Sequence, residues 1–467
     1  MTVKKDKAEK LDAFTTAGQF LTDRYVIGKE SQGEKVKTLR WFKSDFYVWE
    51  TGCYYRITDS EIKAQIAEYL HEFGMPVTMN NISAIMVCLY KLTGVGREVA
   101  LNSWLDGVTG ARVFPMANGN VSFTDINQET GRPRLLPHTP WYFTLSKVNY
   151  NYDPEAECPL WKDFMHDIME GRMEYVLLLQ QWVGYLFRPD LHEQKFLLCT
   201  GEGANGKGVF FEVIKALLGE NNCSQLGLSS FNPKVNRFGL YSTLGKMVNM
   251  TNESSHIIEH EGETVLKSYV AGDTINFERK FREPLSAKPT AKIMIATNQL
   301  PRFNDRTHAV WRRILLVLFP KIIEDERQIK DLAEQLKREL PGIFNWALDG
   351  LDKLNKVGRF IEPQESKALL EEYRRDSDPA RAFLLENYIY SPNGCGQPCK
   401  ELYEEYVQYC EANGNRPMGN RQFGRSVKRI FPDTEKVRWG SRDERTYTYQ
   451  GLVSQQNTIY QDTEISE

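Results

Sequence analysis

The sequence predicts several domains of α+β and α/β type, with a strand–glycine loop–helix core at the centre and a winged helix towards the end. Three observations predict it. Residues 195–218, KFLLCTGEGANGKGVFFEVIKALL, run from an apolar strand (Phe196 to Cys199) through a glycine-rich loop into an amphipathic helix (Val209 to Leu218). Residues 25–55 alternate apolar and polar side chains, with turn signals at Lys43–Asp45 and Thr51–Gly52, which is the pattern of a small antiparallel sheet. Residues 420–431 place basic groups on one helix face and apolar groups on another, and two short strand-like runs follow. A length of 467 residues with 41% hydrophobic content leaves room for roughly two to four such cores.

Composition removes several classes. A formal net charge of −3 gives no global field towards nucleic acid, so any such binding must come from local patches. The opening MTVKKDKAEK lacks the apolar segment of a signal peptide. No apolar run approaches the ~20 residues that span a bilayer, so no membrane partner and a cytoplasmic location are expected. The eight cysteines are scattered, which suits a reducing compartment, and Cys395 with Cys399 lacks the second pair that a zinc site needs.

Taken in order, residues 1–20 are charged and expected to be frayed. Ser60 to Phe73 reads as a helix capped by Ser60, and Ile82 to Leu92 as a second. Residues 110–150 read as short strands and loops. Residues 1–155 hold no acidic cluster or zinc pattern, and are expected to form an α+β adaptor domain. Residues 156–194 read as two helices broken at Gly171, a candidate collar for contacts between subunits or plain internal packing.

The core follows at 195–355. In the loop, Gly201, Gly203, Ala204, Asn205, Gly206, Lys207, Gly208 and Val209 have the composition that cradles nucleotide phosphates. Backbone N–H groups approach the oxygens, the helix N-terminus adds partial positive charge, and Lys207 reaches the β- and γ-phosphates. Gly208 stands where a Ser or Thr hydroxyl normally binds Mg²⁺, and Asn205 is the nearest polar side chain that could help. The alternative is a tight glycine turn with a surface lysine. Met247 to Met250 reads as a core strand ending at Asn252 and Glu253, where a carboxylate could hold Mg²⁺ and polarise water. Thr274–Glu278 and the apolar Ala291–Thr297 read as strands flanking a basic hairpin tip with Arg279, Lys280, Phe281, Arg282 and Lys288. Cations with an exposed ring suit single-stranded DNA; the alternative is a lysine-protected edge. Asn298 ends the apolar strand and could sense a γ-phosphate. Arg312 and Arg313 precede another core strand, and either could serve as an arginine finger.

Glu324 to Leu354 reads as two helices broken at Pro341–Gly342, and residues 356–379 as a charged helix and linker. In 380–452, Arg421, Arg425 and Lys428 share one face of the helix at 420–431, while Phe423, Val427 and Ile430 occupy another. VRWG and TYTYQGL read as a two-stranded wing turning at Gly440 to Glu444, giving a candidate DNA-binding winged helix. Residues 453–467 are expected to be a disordered tail.

Together GEGANGKG, KMVNMTNE, GDTINFERKF and IMIATNQLP followed by WRR resemble, in order, the motifs of superfamily 3 helicases of the AAA+ class. The nearest likeness is to the helicase part of phage and plasmid primase-helicases, related to poxvirus replicative helicases. Upstream stretches such as WFKSDFYVWETGCYYRI and NYDPEAECPLWKDF resemble the amino-terminal region of these proteins. The resemblance implies an ATP- and Mg²⁺-dependent DNA helicase moving 3′ to 5′ as a ring during replication of a phage, plasmid or other mobile element in a bacterial host. It implies single-stranded and forked DNA as partners, a homo-hexamer, and a separate primase, polymerase or single-strand-binding protein. Two rival readings are an origin-binding ATPase switch that does not unwind and a primase-helicase with a cryptic amino-terminal primase.

Overall fold

The computed structural model describes residues 11–28, 35–96, 99–107, 109–252, 257–303, 309–324, 326, 328–415, 417–439 and 446–455. They form two units. The first holds residues up to 363 apart from 256–260 and 300–312, and the second holds those two segments and everything from 364.

The first unit opens with helix α1 (Ala13–Tyr25), capped by the Asp12 carboxylate, which accepts from the Phe14 amide. The expectation of a frayed start fails from Ala13 on, because Ala17, Phe20 and Leu21 give this segment a buried face. Strands β1 (Leu39–Phe42), β2 (Asp45–Glu50) and β3 (Cys53–Ile57) form the expected antiparallel sheet. Helix α2 (Asp59–Glu72) is capped by Thr58 rather than Ser60: Thr58 and Glu61 exchange side-chain and backbone bonds in a capping box. Helix α3 (Met79–Thr93) completes this layer around Phe20, Phe46, Ile66 and Leu89. A second antiparallel sheet, β4 (Val113–Met116), β5 (Gly119–Ile126) and β6 (Pro133–Leu136), follows.

Helices α4 (Pro159–Ile168) and α5 (Met173–Leu186) flank Gly171, which takes φ 73°. Then come β7 (Phe196–Thr200), α6 (Lys207–Leu218), β8 (Cys223–Ser224), β9 (Val248–Asn252) and α7 (His260–Ala271). The hairpin β10 (Ile275–Arg279) and β11 (Arg282–Ala287) precedes β12 (Lys292–Thr297) and β13 (Ile314–Leu318). Helices α8 (Leu332–Lys337) and α9 (Leu340–Val357) close the unit, with Pro341 in the first turn of α9 where its missing N–H costs nothing. The five-stranded sheet runs β8–β9–β12–β7–β13, all parallel. Every side chain of β7 and β12 is buried, as expected for strands covered on both faces. The apolar strand β12 is therefore not an arm of the basic hairpin; β11 is.

The second helix of the expected collar is consumed inside the chain. Tyr175, Val176 and Leu178 through Leu186 of α5 are all buried. Two glycines allow its close approach to α9: a Cβ on Gly184 would lie 2.3 Å from the Ala347 carbonyl oxygen, and one on Gly350 2.1 Å from that of Gln180.

The second unit contains α10 (Gln364–Ser377), α11 (Pro379–Asn387), β14 (Tyr388–Tyr390), β15 (Gln397–Pro398), α12 (Cys399–Ala412), α13 (Asn420–Ile430), β16 (Glu435–Trp439), β17 (Thr446–Gln450) and β18 (Leu452–Ser454). Phe383, Leu402, Tyr406, Phe423, Val427 and Leu452 form its core. β16 and β17 pair antiparallel as the expected wing, and their connecting turn lies outside the described residues. Of the disordered tail expected at 453–467, Val453 and Ser454 instead belong to β18, whose backbone pairs with β14, and the residues from 456 lie outside the described ones. Among the described residues no helix is long and apolar enough to cross a membrane.

Candidate functional site

The carboxyl ends of β7, β9, β12 and β13 converge on one edge of the parallel sheet, the edge at which open α/β folds bind ligands. The loop after β7 is shaped by three left-handed or extended positive-φ residues, Gly201 (149°), Ala204 (56°) and Gly206 (80°). A Cβ on Gly206 would lie 2.7 Å from Ile168, so this position requires glycine on two grounds. Helix α6 begins at Lys207, two residues earlier than expected. The Lys207 ammonium donates to the carbonyls of Gly201 (2.6 Å) and Glu202 (3.2 Å), and burial pushes its pKa down. Asn205 is not aimed at a metal. Its oxygen accepts from the Lys207 amide at 3.3 Å, and its nitrogen donates to the carbonyls of Glu202 and Phe319, so it holds the loop's own shape.

This loop forms one wall of an 820 Å³ cavity. Gly203 through Val209 line it together with Asn252 and Asn298, both exposed at their strand ends. Its size suits a nucleotide. Three contributions were not legible beforehand. Phe164 and Ile168 come from α4; Lys321 through Glu324 follow β13; Ile329 and Leu332 precede or begin α8. Lys321 pairs with Asp167 across the rim, and the Ile323 amide donates to the Ala204 carbonyl at 2.7 Å. The signal available in sequence was only that residues after a core strand reach the same sheet edge. Glu253, the expected Mg²⁺ ligand, lies outside the described residues. Around Gly208 the space is open: a Cβ there meets nothing within 4 Å.

At the basic hairpin, Phe281 is 94% exposed, with the Lys280 ammonium 5.2 Å from its ring centre. Arg279 departs from expectation. A register shift between Phe277 and Arg279 turns it inward; its side chain is 6% exposed and pairs with Asp45 at 3.2 Å. It does not present a cation to solvent. Of the two candidate finger residues, Arg312 is exposed and Arg313 is buried. Trp311 beside them stacks edge-on against Tyr373 of α10, with Phe303 completing the cluster. On α13, Arg421, Arg425 and Lys428 are exposed, while Phe423 and Val427 are buried. Lys428 also donates to the carbonyls of Pro432 and Thr434, both at 2.7 Å.

Three family profiles match. Residues 18–170 match "D5 N terminal like", residues 199–313 match a family of unknown function, DUF5906, and residues 378–456 match the RFX DNA-binding domain. The Putative helicase L207/L206 of Acanthamoeba polyphaga mimivirus is 23% identical over 249 residues, 47% of this chain and 25% of that protein. The likeness is to a putative viral helicase. Regulatory factor X 4 of Xenopus laevis is 31% identical over 142 residues, 30% of this chain and 18% of that protein. The chain thus spans a quarter or less of the length of these curated relatives. The solved apo structure of the NrS-1 C terminal region shares the fold, with a TM-score of 0.52 at 12% identity, over 95% of this chain and 100% of that one. The DUF5906 match starts in β7 and ends at Arg313, so it encloses the loop, both strand-end asparagines and the arginine pair. The RFX match begins at Asp378, the residue that caps α11.

Proposed function

We propose that the chain is an ATP-dependent DNA helicase of superfamily 3 acting as a ring in replication of a phage, plasmid or other mobile element. One observation carries the reading: Lys207, Asn252 and Asn298 line a single cavity of nucleotide size at the carboxyl edge of a parallel sheet. ATP phosphates would replace the Gly201 and Glu202 carbonyls as partners of Lys207, offsetting the burial that now disfavours its ammonium. The amides of Gly203 through Gly208 would hold the phosphate oxygens, and Asn298 would sense the γ-phosphate. The apolar wall of Phe164, Ile168 and Ile329 suits a base. Mg²⁺, when bound, would neutralise charge between the phosphates. With no hydroxyl at Gly208 and the Asn205 amide engaged in the loop, it would rely on phosphates, water and Glu253.

Exposure favours Arg312 over Arg313 as the residue that reaches a neighbouring subunit's ATP. Such fingers contribute about 10³–10⁵ in rate. Lys280 and Phe281 would engage one DNA strand, the cation tracking phosphate and the ring stacking on a base. Arg421 and Arg425 of the RFX-type domain would bind duplex, which also keeps alive an origin-binding switch that hydrolyses ATP without unwinding.

Lys207→Ala tests the site. ATP hydrolysis should fall at least 100-fold while the far-ultraviolet circular dichroism stays unchanged. Hydrolysis within threefold of the parent would remove this cavity from the reaction.

A further inference from the structure

The hairpin β10–β11 is anchored. Asp45, the first residue of β2, has a side chain only 5% exposed, and its carboxylate accepts from three guanidiniums. Arg56 from the same sheet donates through Nε at 3.0 Å. Arg279 and Arg282, one from each hairpin strand, donate at 3.2 and 2.5 Å. The contact extends beyond the carboxylate. Arg282 also donates to the Ser44 carbonyl at 3.0 Å, and Lys43 to the Ser286 carbonyl at 3.4 Å. Lys43 and Ser44 form the β1–β2 turn, with φ of 47° and 68°.

The two clamped arginines are the immediate neighbours of the exposed pair. Arg279 precedes Lys280 and Arg282 follows Phe281, so fixing them fixes the direction of the tip. The clamp also sorts the hairpin's charges. A buried carboxylate already holds both guanidiniums, which leaves Lys280 as the cation presented beside the ring.

We infer that Asp45 is a positioning residue: it aims Lys280 and Phe281, withholds Arg279 and Arg282 from the DNA backbone, and makes the amino-terminal sheet and the hairpin move as one piece. The positioning of DNA contacts rests on the helicase reading; the mechanical clamp does not.

The test uses the full chain with Asp45→Asn, which keeps the shape and removes the charge. Amide hydrogen exchange across residues 275–287 should quicken at least tenfold, with exchange in β7 and α6 unchanged. Two freed guanidiniums should steepen the salt dependence of single-strand binding by about 1.4 in log–log slope, at ~0.7 per phosphate contact. A protein that merely lost stability would show a raised exchange rate everywhere and no steeper slope. Should Asp45→Asn fail to fold, Arg282→Gln, on the 37% exposed partner, should still quicken hairpin exchange about threefold. Unchanged hairpin exchange in the folded variant overturns the clamp. Faster exchange in a chain whose parent unwinds no DNA supports the clamp and removes the helicase reading instead.

Discussion

Gly208 leaves open space where the phosphate loop would otherwise offer a hydroxyl to Mg²⁺. Because an added Cβ meets nothing within 4 Å, Gly208→Ser should fold without strain. The Mg²⁺ concentration giving half-maximal ATP hydrolysis should then fall severalfold in a metal titration. An unchanged titration would mean that the metal already has its full ligand set. A second residue reports on the opposite edge of the same sheet. Lys292, the first residue of β12, is 1% exposed; its ammonium donates to the Arg188 carbonyl and lies 4.9 Å from the Tyr185 ring centre. Burial pushes its pKa down from 10.5 to about 7, with Arg188 adding to the fall and Asp190 opposing it. Between those values the unfolded chain binds the proton that the folded chain has released. Stability therefore rises with pH across that window and the penalty is complete below about pH 7. From pH 7 to 9 the unfolding free energy of the parent, read from urea titrations, should climb relative to Lys292→Met by up to about 2 kcal/mol. Parallel pH profiles for the two proteins would refute the buried titration.

At the scale of elements, the α5–α9 contact depends on two missing side chains. Gly184 and Gly350 each face the backbone of the other helix at a distance no Cβ can occupy. Gly184→Ala or Gly350→Ala should therefore lower stability by about 1–3 kcal/mol or more despite the better helix propensity of alanine, as thermal unfolding would read out. A neutral or raised melting temperature would mean that the helices separate at no cost. This packing also explains why α5 was not legible as an internal helix. Its sequence is apolar on all sides, which fits burial against its own chain as well as against another subunit. The phosphate loop was legible because its glycines, lysine and flanking strand and helix are all local. The hairpin was legible as basic and aromatic but not in its pairing. A short polar strand, Arg282–Ala287, lay unseen beside the stronger apolar signal of β12. Nor does local sequence show that Arg279 finds Asp45, 234 residues away. The cap on α2 was misplaced by two residues because Thr58 and Ser60 are both good caps, and only Thr58 has Glu61 at the capping-box spacing.

At the scale of the molecule, three sequence families succeed one another along one chain: an amino-terminal D5-like region, a central DUF5906 region and a carboxy-terminal RFX-type domain. The order itself was readable from motifs, each of which is short and contiguous. The cavity was readable only in part, since its α4 wall and the segment after β13 are brought in by the fold. An ATPase that only marks an origin and a helicase that unwinds would share this cavity and the RFX-type domain. They differ in whether the exposed hairpin tip does work on a strand. The most direct measurement is ATP-dependent strand displacement from a forked duplex by the parent and by Lys280→Ala, with DNA-independent ATP hydrolysis followed in the same samples. The parent should displace the strand only with ATP, and Lys280→Ala should lose at least tenfold in displacement while its hydrolysis changes less than twofold. A parent that hydrolyses ATP but never displaces the strand, or a Lys280→Ala variant that displaces it at the parent's rate, would contradict the account.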